Sequence, residues 1–276
     1  MEKLRALYQY VKQKYDLLSF RKYTTIAGTL VFFFIMSIVP LSFWLTLVIG
    51  KLPFDTERLL RLSVFDSVKS VFEYVQQEAA SATTGASVIL IFTTLYSSTN
   101  LFYQMRRSGE IIYDFRKQRK GLKLRISALA LLIIVMASAV AFLLIFAIGS
   151  FFFSRILGGF WEKVADYLLL IIVAFFLVLL LNMYICPHKT KIRNFLPGTC
   201  LTVVAWVLAI IGFSIYLKIG NIARLYGALS TLIVFFLWLY ILMICFVIGA
   251  IFNSEKILLE VNVSQSLRKK RRKQTI

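Results

Sequence analysis

Charge is scarce in this chain, and negative charge scarcer still. Of 276 residues only 16% are charged; Asp and Glu together number 13, and there is one histidine. The three cysteines, Cys186, Cys200 and Cys245, lie in or beside apolar segments with no CxxC spacing. That argues against a disulfide framework or a zinc site and for buried structural thiols. No GxxxxGK[ST], GxGxxG or HExxH occurs, so ATP- or metal-dependent chemistry has no motif to stand on. Hydrolases, nucleases included, need clustered carboxylates, a metal site or a nucleophile–base pair, and this inventory assembles none. Glu110 and Asp114, four apart in a basic stretch, read as helix charge pairing. His188, between Pro187 and Lys189, reads as an interfacial residue rather than a base. The expectation is a non-enzyme with no catalytic residue, metal or cofactor.

What is abundant is hydrocarbon. The chain is 59% hydrophobic with a mean hydropathy of +0.80, against about 45–50% apolar and about 25% charged in soluble domains. One soluble core cannot hide that excess, because a domain of this size still exposes about a quarter of its unfolded surface. Disorder is excluded by the abundance of Leu, Ile, Val and Phe. Between successive charged or His residues lie six long windows, 23–50, 79–105, 126–154, 167–187, 194–217 and 225–254. Each exceeds the roughly 20 helical residues that cross a bilayer. The fold class expected is an all-α integral membrane protein with six transmembrane helices, at about 26–50, 85–105, 126–153, 167–187, 198–217 and 227–252.

Lys and Arg orient it. Residues 1–22, the loop after the second span, the loop after the fourth and the tail 255–276 carry 24 basic residues; the opposite side carries eight. An even span count and the positive-inside rule both put the N- and C-termini in the cytoplasm. The first window is too long for the core of a cleaved signal. In the arm 1–22, Leu4, Leu7, Tyr8, Val11, Tyr15 and Leu18 recur at three and four, predicting an amphipathic helix on the cytoplasmic leaflet. A partner-binding helix is the alternative. The outer segment 51–83 reads as a short helical cap. The tail holds six consecutive basic residues, Arg268 to Lys273, a topology-enforcing and anionic-lipid-holding cluster. No aromatic residues interleave it, so no specific nucleic acid is expected.

Asp, Glu, Lys, Arg and His are absent from the depths of the spans, which tells against proton coupling and acidic ion rings. Polarity concentrates in the second span, where seven of the eight residues from Thr93 to Asn100 are polar or Tyr. Two readings stay open: interhelical glue or the polar wall of a cavity. Asn182 in the fourth span is a second buried amide. Pro40 frees the Met36 carbonyl in the first span and predicts a kink. In the sixth span Gly227 and Gly249 stand too far apart for a GxxxG seam. The candidate substrate-binding residues are Thr94, Ser97, Ser98, Asn100, Asn182, Tyr226 and Tyr240. The candidate anionic-headgroup residues are Arg106, Arg107, Arg125, Lys189 and Arg193.

Several stretches resemble the YihY/virulence factor BrkB family of bacterial inner-membrane proteins, over about Tyr23 to Asn253. They are Ser37-Ile38-Val39-Pro40; Gly85 through Asn100-Leu101-Phe102; Tyr184, Pro187, Arg193, Phe195, Pro197 and Gly198; and Leu225-Tyr226-Gly227-Ala228-Leu229, Trp238-Leu239-Tyr240, Gly249-Ala250 and Asn253. Where the family often has glutamate after the Gly-Ala pair, this chain has Ile251. The resemblance implies six inner-membrane helices. It brings a tRNA-processing ribonuclease BN label, which these residues do not support, and an association with transport of lipids or envelope components. The expected function is binding or moving a lipid or amphiphile. The alternatives are a structural or interaction protein and, behind it, the ribonuclease. Expected partners are membrane lipids, especially anionic ones, with homo-oligomerisation open.

Overall fold

The computed structural model describes residues 5, 9, 12–13, 16–49, 84–115, 121–156, 159–219 and 228–274. The segment 51–83, Tyr226 and most of the N-terminal arm lie outside the described residues. Those of the arm that are described before Arg21 are helical. Among the described residues six long helices follow: α1 (Tyr23–Ile49), α2 (Thr84–Ile112), α3 (Gly121–Ile156), α4 (Phe160–Ile185), α5 (Leu196–Ile219) and α6 (Ala228–Gln274). A 3-10 turn, Ile192–Asn194, precedes α5. Among the described residues there is no strand.

Among the described residues, four stretches are long and apolar enough to cross a membrane: Gly121–Phe146, Val164–Ile185, Leu196–Tyr216 and Ile233–Val263, with a shorter apolar stretch at Tyr23–Ser37. Their Leu, Ile and Phe side chains are widely exposed. Water does not tolerate such a surface, and lipid supplies its natural cover.

Helices overrun the hydrophobic windows at their charged ends. α2 continues through Arg106, Arg107 and Glu110 to Ile112, and α6 runs 47 residues through the basic segment to Gln274. The reason is local: Lys, Arg, Glu, Gln and Leu are good helix formers, and neither Gly nor Pro interrupts residues 250–274. Hydrophobicity ends a span; it does not end a helix.

The chain forms two compact units. One comprises Met1–Val31, Met105–Gln118 and Val178–Ile276; the other comprises Phe32–Gln104 and Arg119–Leu177. In the first, α5 and α6 pack along a seam of small residues. A Cβ on Gly198 would collide with the Gly249 carbonyl, and one on Gly249 with the Thr202 hydroxyl. The Gly198 N–H, at the start of α5, donates to Asn253 Oδ1 at 2.7 Å. Trp206 Nε1 donates to the Leu242 carbonyl at 2.8 Å. The pairs 198/253, 202/249 and 206/242 step in opposite directions, so the helices run antiparallel. Close backbone approach is how membrane helices gain van der Waals contact that lipid cannot match. The seam joins Gly249 to Gly198 across two helices, a pairing that no motif within one helix reveals.

Still within that unit, Asn182 on α4 donates to Thr199 Oγ1 at 3.2 Å. The end of α4 is closed by Arg106 from α2, whose Nη1 donates to the Tyr184 carbonyl and, at 2.7 Å, to that of Cys186. A cation at a helix C-terminus satisfies orphan carbonyls and meets the negative end of the dipole. Gly109 permits the approach, since a Cβ there would strike the Ile185 carbonyl.

Candidate functional site

The second unit shows what its polar helix is for. Pro40 lies inside α1 and, lacking an N–H, leaves the Met36 carbonyl without its usual helical donor. Ser97 Oγ of α2 donates to that carbonyl at 3.3 Å. In return Ser37 Oγ, fully buried, donates to the Ser97 carbonyl at 3.0 Å. Ser97 therefore joins α2 to α1. Thr99 bonds back to the Tyr96 carbonyl of its own helix, the ordinary disposal of a hydroxyl in a helix.

Tyr96, Asn100 and Tyr103 are different. Spaced i, i+4 and i+7, they share one face of α2, and that face meets Arg125 near the start of α3. Arg125 Nη1 donates to Asn100 Oδ1 at 2.7 Å and Nη2 to the Tyr96 hydroxyl at 2.9 Å. Its guanidinium carbon lies 4.3 Å from the Tyr96 ring centroid and 4.7 Å from that of Tyr103. Each contact is well inside the roughly 6 Å range of a cation–π interaction, worth about 0.5–2 kcal/mol. Among the described residues Arg125 forms no ion pair with a carboxylate. The site is a fixed, uncompensated positive charge, half-buried, beside an exposed Tyr96.

The remaining sequence-derived candidates are dispersed. Ser98 is fully buried and its hydroxyl has no partner among the described residues. The side chain of Thr94 and the whole of Tyr226 are outside what is described. Asn182 and Tyr240 belong to the other unit, the latter with its hydroxyl 3.5 Å from the Thr24 carbonyl. Of the cationic candidates, Arg106 is buried over the end of α4, Arg107 pairs with Glu110 at 2.9 Å, and Lys189 and Arg193 are exposed. Among the described residues, Arg125 is the cationic candidate that meets a polar candidate of the second span, Asn100.

Glu110 and Asp114, the one acidic pair that spacing brings to notice, part company. Glu110 is tied to Arg107, whereas Asp114 is exposed in a left-handed turn at φ 47°. No group of three or more His, Cys, Asp or Glu placed to hold a metal occurs among the described residues. Nearby, Tyr113 is fully buried. Burial first, and the Cys186 thiol second, push its hydroxyl well above the usual phenol range.

Tyr96 and Tyr103 join the site without being among the candidates drawn from the sequence, although their spacing with Asn100 is a signal of it. Asn253 and Thr199 are not among those candidates either, since no local pattern connects them to Gly198 and Asn182.

Comparison with known proteins extends over most of the chain. The model of the virulence factor BrkB family matches residues 15–274. A ribonuclease-like protein of Bacillus subtilis, YfkH, is 23% identical over 260 residues, 85% of this chain and 92% of that one. A UPF0761 membrane protein of Coxiella burnetii is 28% identical over 194 residues, 68% of this chain and 69% of the relative. A UPF0761 membrane protein of Xanthomonas oryzae is 35% identical over 81 residues, 28% of this chain but 19% of the relative. No solved structure matches.

Proposed function

The chain belongs to the virulence factor BrkB family of membrane proteins, and from that premise we propose that it binds or moves a lipid or another amphiphilic envelope component across the bacterial inner membrane. In this reading the polypeptide crosses six times, with both termini in the cytoplasm and the N-terminal amphipathic arm on the inner leaflet. Charge asymmetry supports the orientation. The role is non-enzymatic. Glu110, the better placed of the two acids in the basic loop, is already committed to Arg107.

One observation carries the function. The polar face of α2 delivers Asn100 and two tyrosines to Arg125, and no described carboxylate answers its charge. A purely structural arginine in an apolar setting is ordinarily neutralised or hidden. This one is held rigidly beside an exposed surface, which suits an anionic headgroup.

A scaffold without transport is the second reading. It draws on the reciprocal Ser37–Ser97 bonds and the α5–α6 seam, where polar and small residues do nothing except pack. Asn100→Leu separates the two. Lipids retained on protein extracted in mild detergent are identified by native mass spectrometry, with size-exclusion chromatography alongside. The lipid-binding reading expects a specific lipid on the wild type that the monodisperse variant loses. Bulk lipid alone, equal in both, sinks it and leaves the scaffold.

A further inference from the structure

We propose that the Arg125 cluster binds the phosphate of an acidic glycerophospholipid, received in the plane of the guanidinium; this rests on the lipid-binding reading above and names its ligand. A guanidinium has five N–H donors in a planar fork. Two bonds hold it to the protein, one through Nη1 to Asn100 and one through Nη2 to Tyr96. The other three N–H groups remain for a ligand. The rings of Tyr96 and Tyr103 both lie against the guanidinium, its central carbon 4.3 Å and 4.7 Å from their centroids. A ligand that recognises arginine by stacking competes with these rings. One that recognises its edge does not, and phosphate oxygens match that edge in pairs.

The charge decides between lipid classes. Arg125 carries a full positive charge with no carboxylate ion pair among the described residues. Lys123, two residues earlier on the same helix, is exposed and adds a second cation to the start of α3. A zwitterionic headgroup would bring an ammonium toward this positive charge, and no carboxylate among the described residues pairs with Arg125 to offset it. A headgroup of net negative charge enters without that penalty.

The surroundings decide between a lipid and free phosphate. Leu122, Ile126 and Leu129 are exposed, and with Arg125 they fall at i−3, i+1 and i+4, a single stripe of α3. The cation thus emerges from an apolar stripe, the arrangement an amphiphile meets with phosphate and acyl chain at once. Soluble phosphate would leave the stripe uncovered.

The test uses the full-length protein in nanodiscs of mixed phosphatidylglycerol and phosphatidylethanolamine, with bound lipids counted by native mass spectrometry. Wild type should enrich phosphatidylglycerol about fivefold over the bulk mixture, the scale set by about 1 kcal/mol for one basic residue. Arg125→Gln should return the ratio to that of the bulk, and Arg125→Lys should retain part of it. Glycerol 1-phosphate added to wild type should displace nothing; displacement would overturn the lipid assignment in favour of a free-phosphate site. Unchanged enrichment in Arg125→Gln, or lipid held by wild type with no preference for the anionic headgroup, would overturn the inference while leaving lipid binding standing. No lipid above bulk on wild type would overturn both. If Arg125→Gln does not purify as a single species, raising the salt on wild type gives the second reading. Enrichment that survives high salt undiminished counts against the proposal, because a single partly exposed charge is screened.

Discussion

At the scale of single residues, the chain separates polar groups that are used from polar groups that are only tolerated. Asn100 is used: its carbonyl oxygen fixes one end of Arg125. Tyr113 is tolerated. Its side chain is fully buried and its hydroxyl finds no partner among the described residues. A buried donor left unmade is destabilising by about 1–3 kcal/mol, while a same-shape apolar replacement is nearly neutral or stabilising. Tyr113→Phe should therefore leave thermal stability in detergent unchanged or raise it by about 1 kcal/mol. The pH dependence has a definite sign. In the unfolded chain the phenol ionises near its ordinary value of about 10, whereas in the folded chain burial keeps it neutral. Stability contributed by this residue is thus intact below about pH 10 and falls as pH rises above it. The phenylalanine variant should lose that part of the alkaline fall. A drop of several degrees in melting temperature at neutral pH would mean that the hydroxyl is bonded after all.

At the scale of helices, the contacts that specify pairing are small, and most of them read poorly in one dimension. The seam between α5 and α6 depends on Gly198 and Gly249 presenting backbone where any other residue would present carbon. Gly249→Ala has to push the Thr202 hydroxyl or the Gly198 backbone aside, and overpacking of this kind is destabilising by about 1–3 kcal/mol. We expect a lower melting temperature and reduced recovery of monodisperse protein, with Gly212→Ala as the control, since a Cβ there meets nothing within 4 Å. Equal behaviour of the two variants would remove the seam as a determinant. The existence of helices was legible, because apolar windows of 21 to 30 residues leave little else to form. So was Pro40, whose freed Met36 carbonyl reappears as the acceptor of Ser97. The partners were not. Gly198 and Asn253 lie 55 positions apart, and nothing in either neighbourhood names the other. For the candidate site the sequence offered Asn100 and Arg125 separately, one as a buried amide and one as a rim cation. Only three-dimensional placement shows that they are one object and that Tyr96 and Tyr103 close over it. Helix ends are not legible in the windows for a physical reason too: the windows mark where apolar sequence stops, while α2 and α6 continue as helix through charged residues.

At the scale of the whole molecule, α6 links the membrane to the basic end of the chain without a break. A helix of 47 residues is about 70 Å long at about 1.5 Å per residue, more than twice the roughly 30 Å of hydrocarbon. The excess must stand in water on one side, and it is the side that carries Arg268 to Lys273. Dragging six adjacent cations through hydrocarbon is prohibitive, which is why the proposed topology keeps this end of α6 in the cytoplasm. With α6 fixed, alternate crossing places the other basic stretches, residues 106–125 and 189–193, in the same compartment if the chain crosses six times; an odd number of crossings would separate the two ends. Cysteines introduced singly at Arg272, Lys120 and Lys69 test this with a membrane-impermeant thiol reagent on intact spheroplasts. Lys69→Cys should be labelled from outside, whereas Arg272→Cys and Lys120→Cys should react only after the membrane is opened. Outside labelling at Arg272→Cys would reverse the proposed topology, and with it the cytoplasmic side proposed for residues 106–125. Labelling of Lys69→Cys only after opening would reduce the crossing number by bringing 51–83 to the inner side, while leaving the α5–α6 hairpin and its orientation untouched.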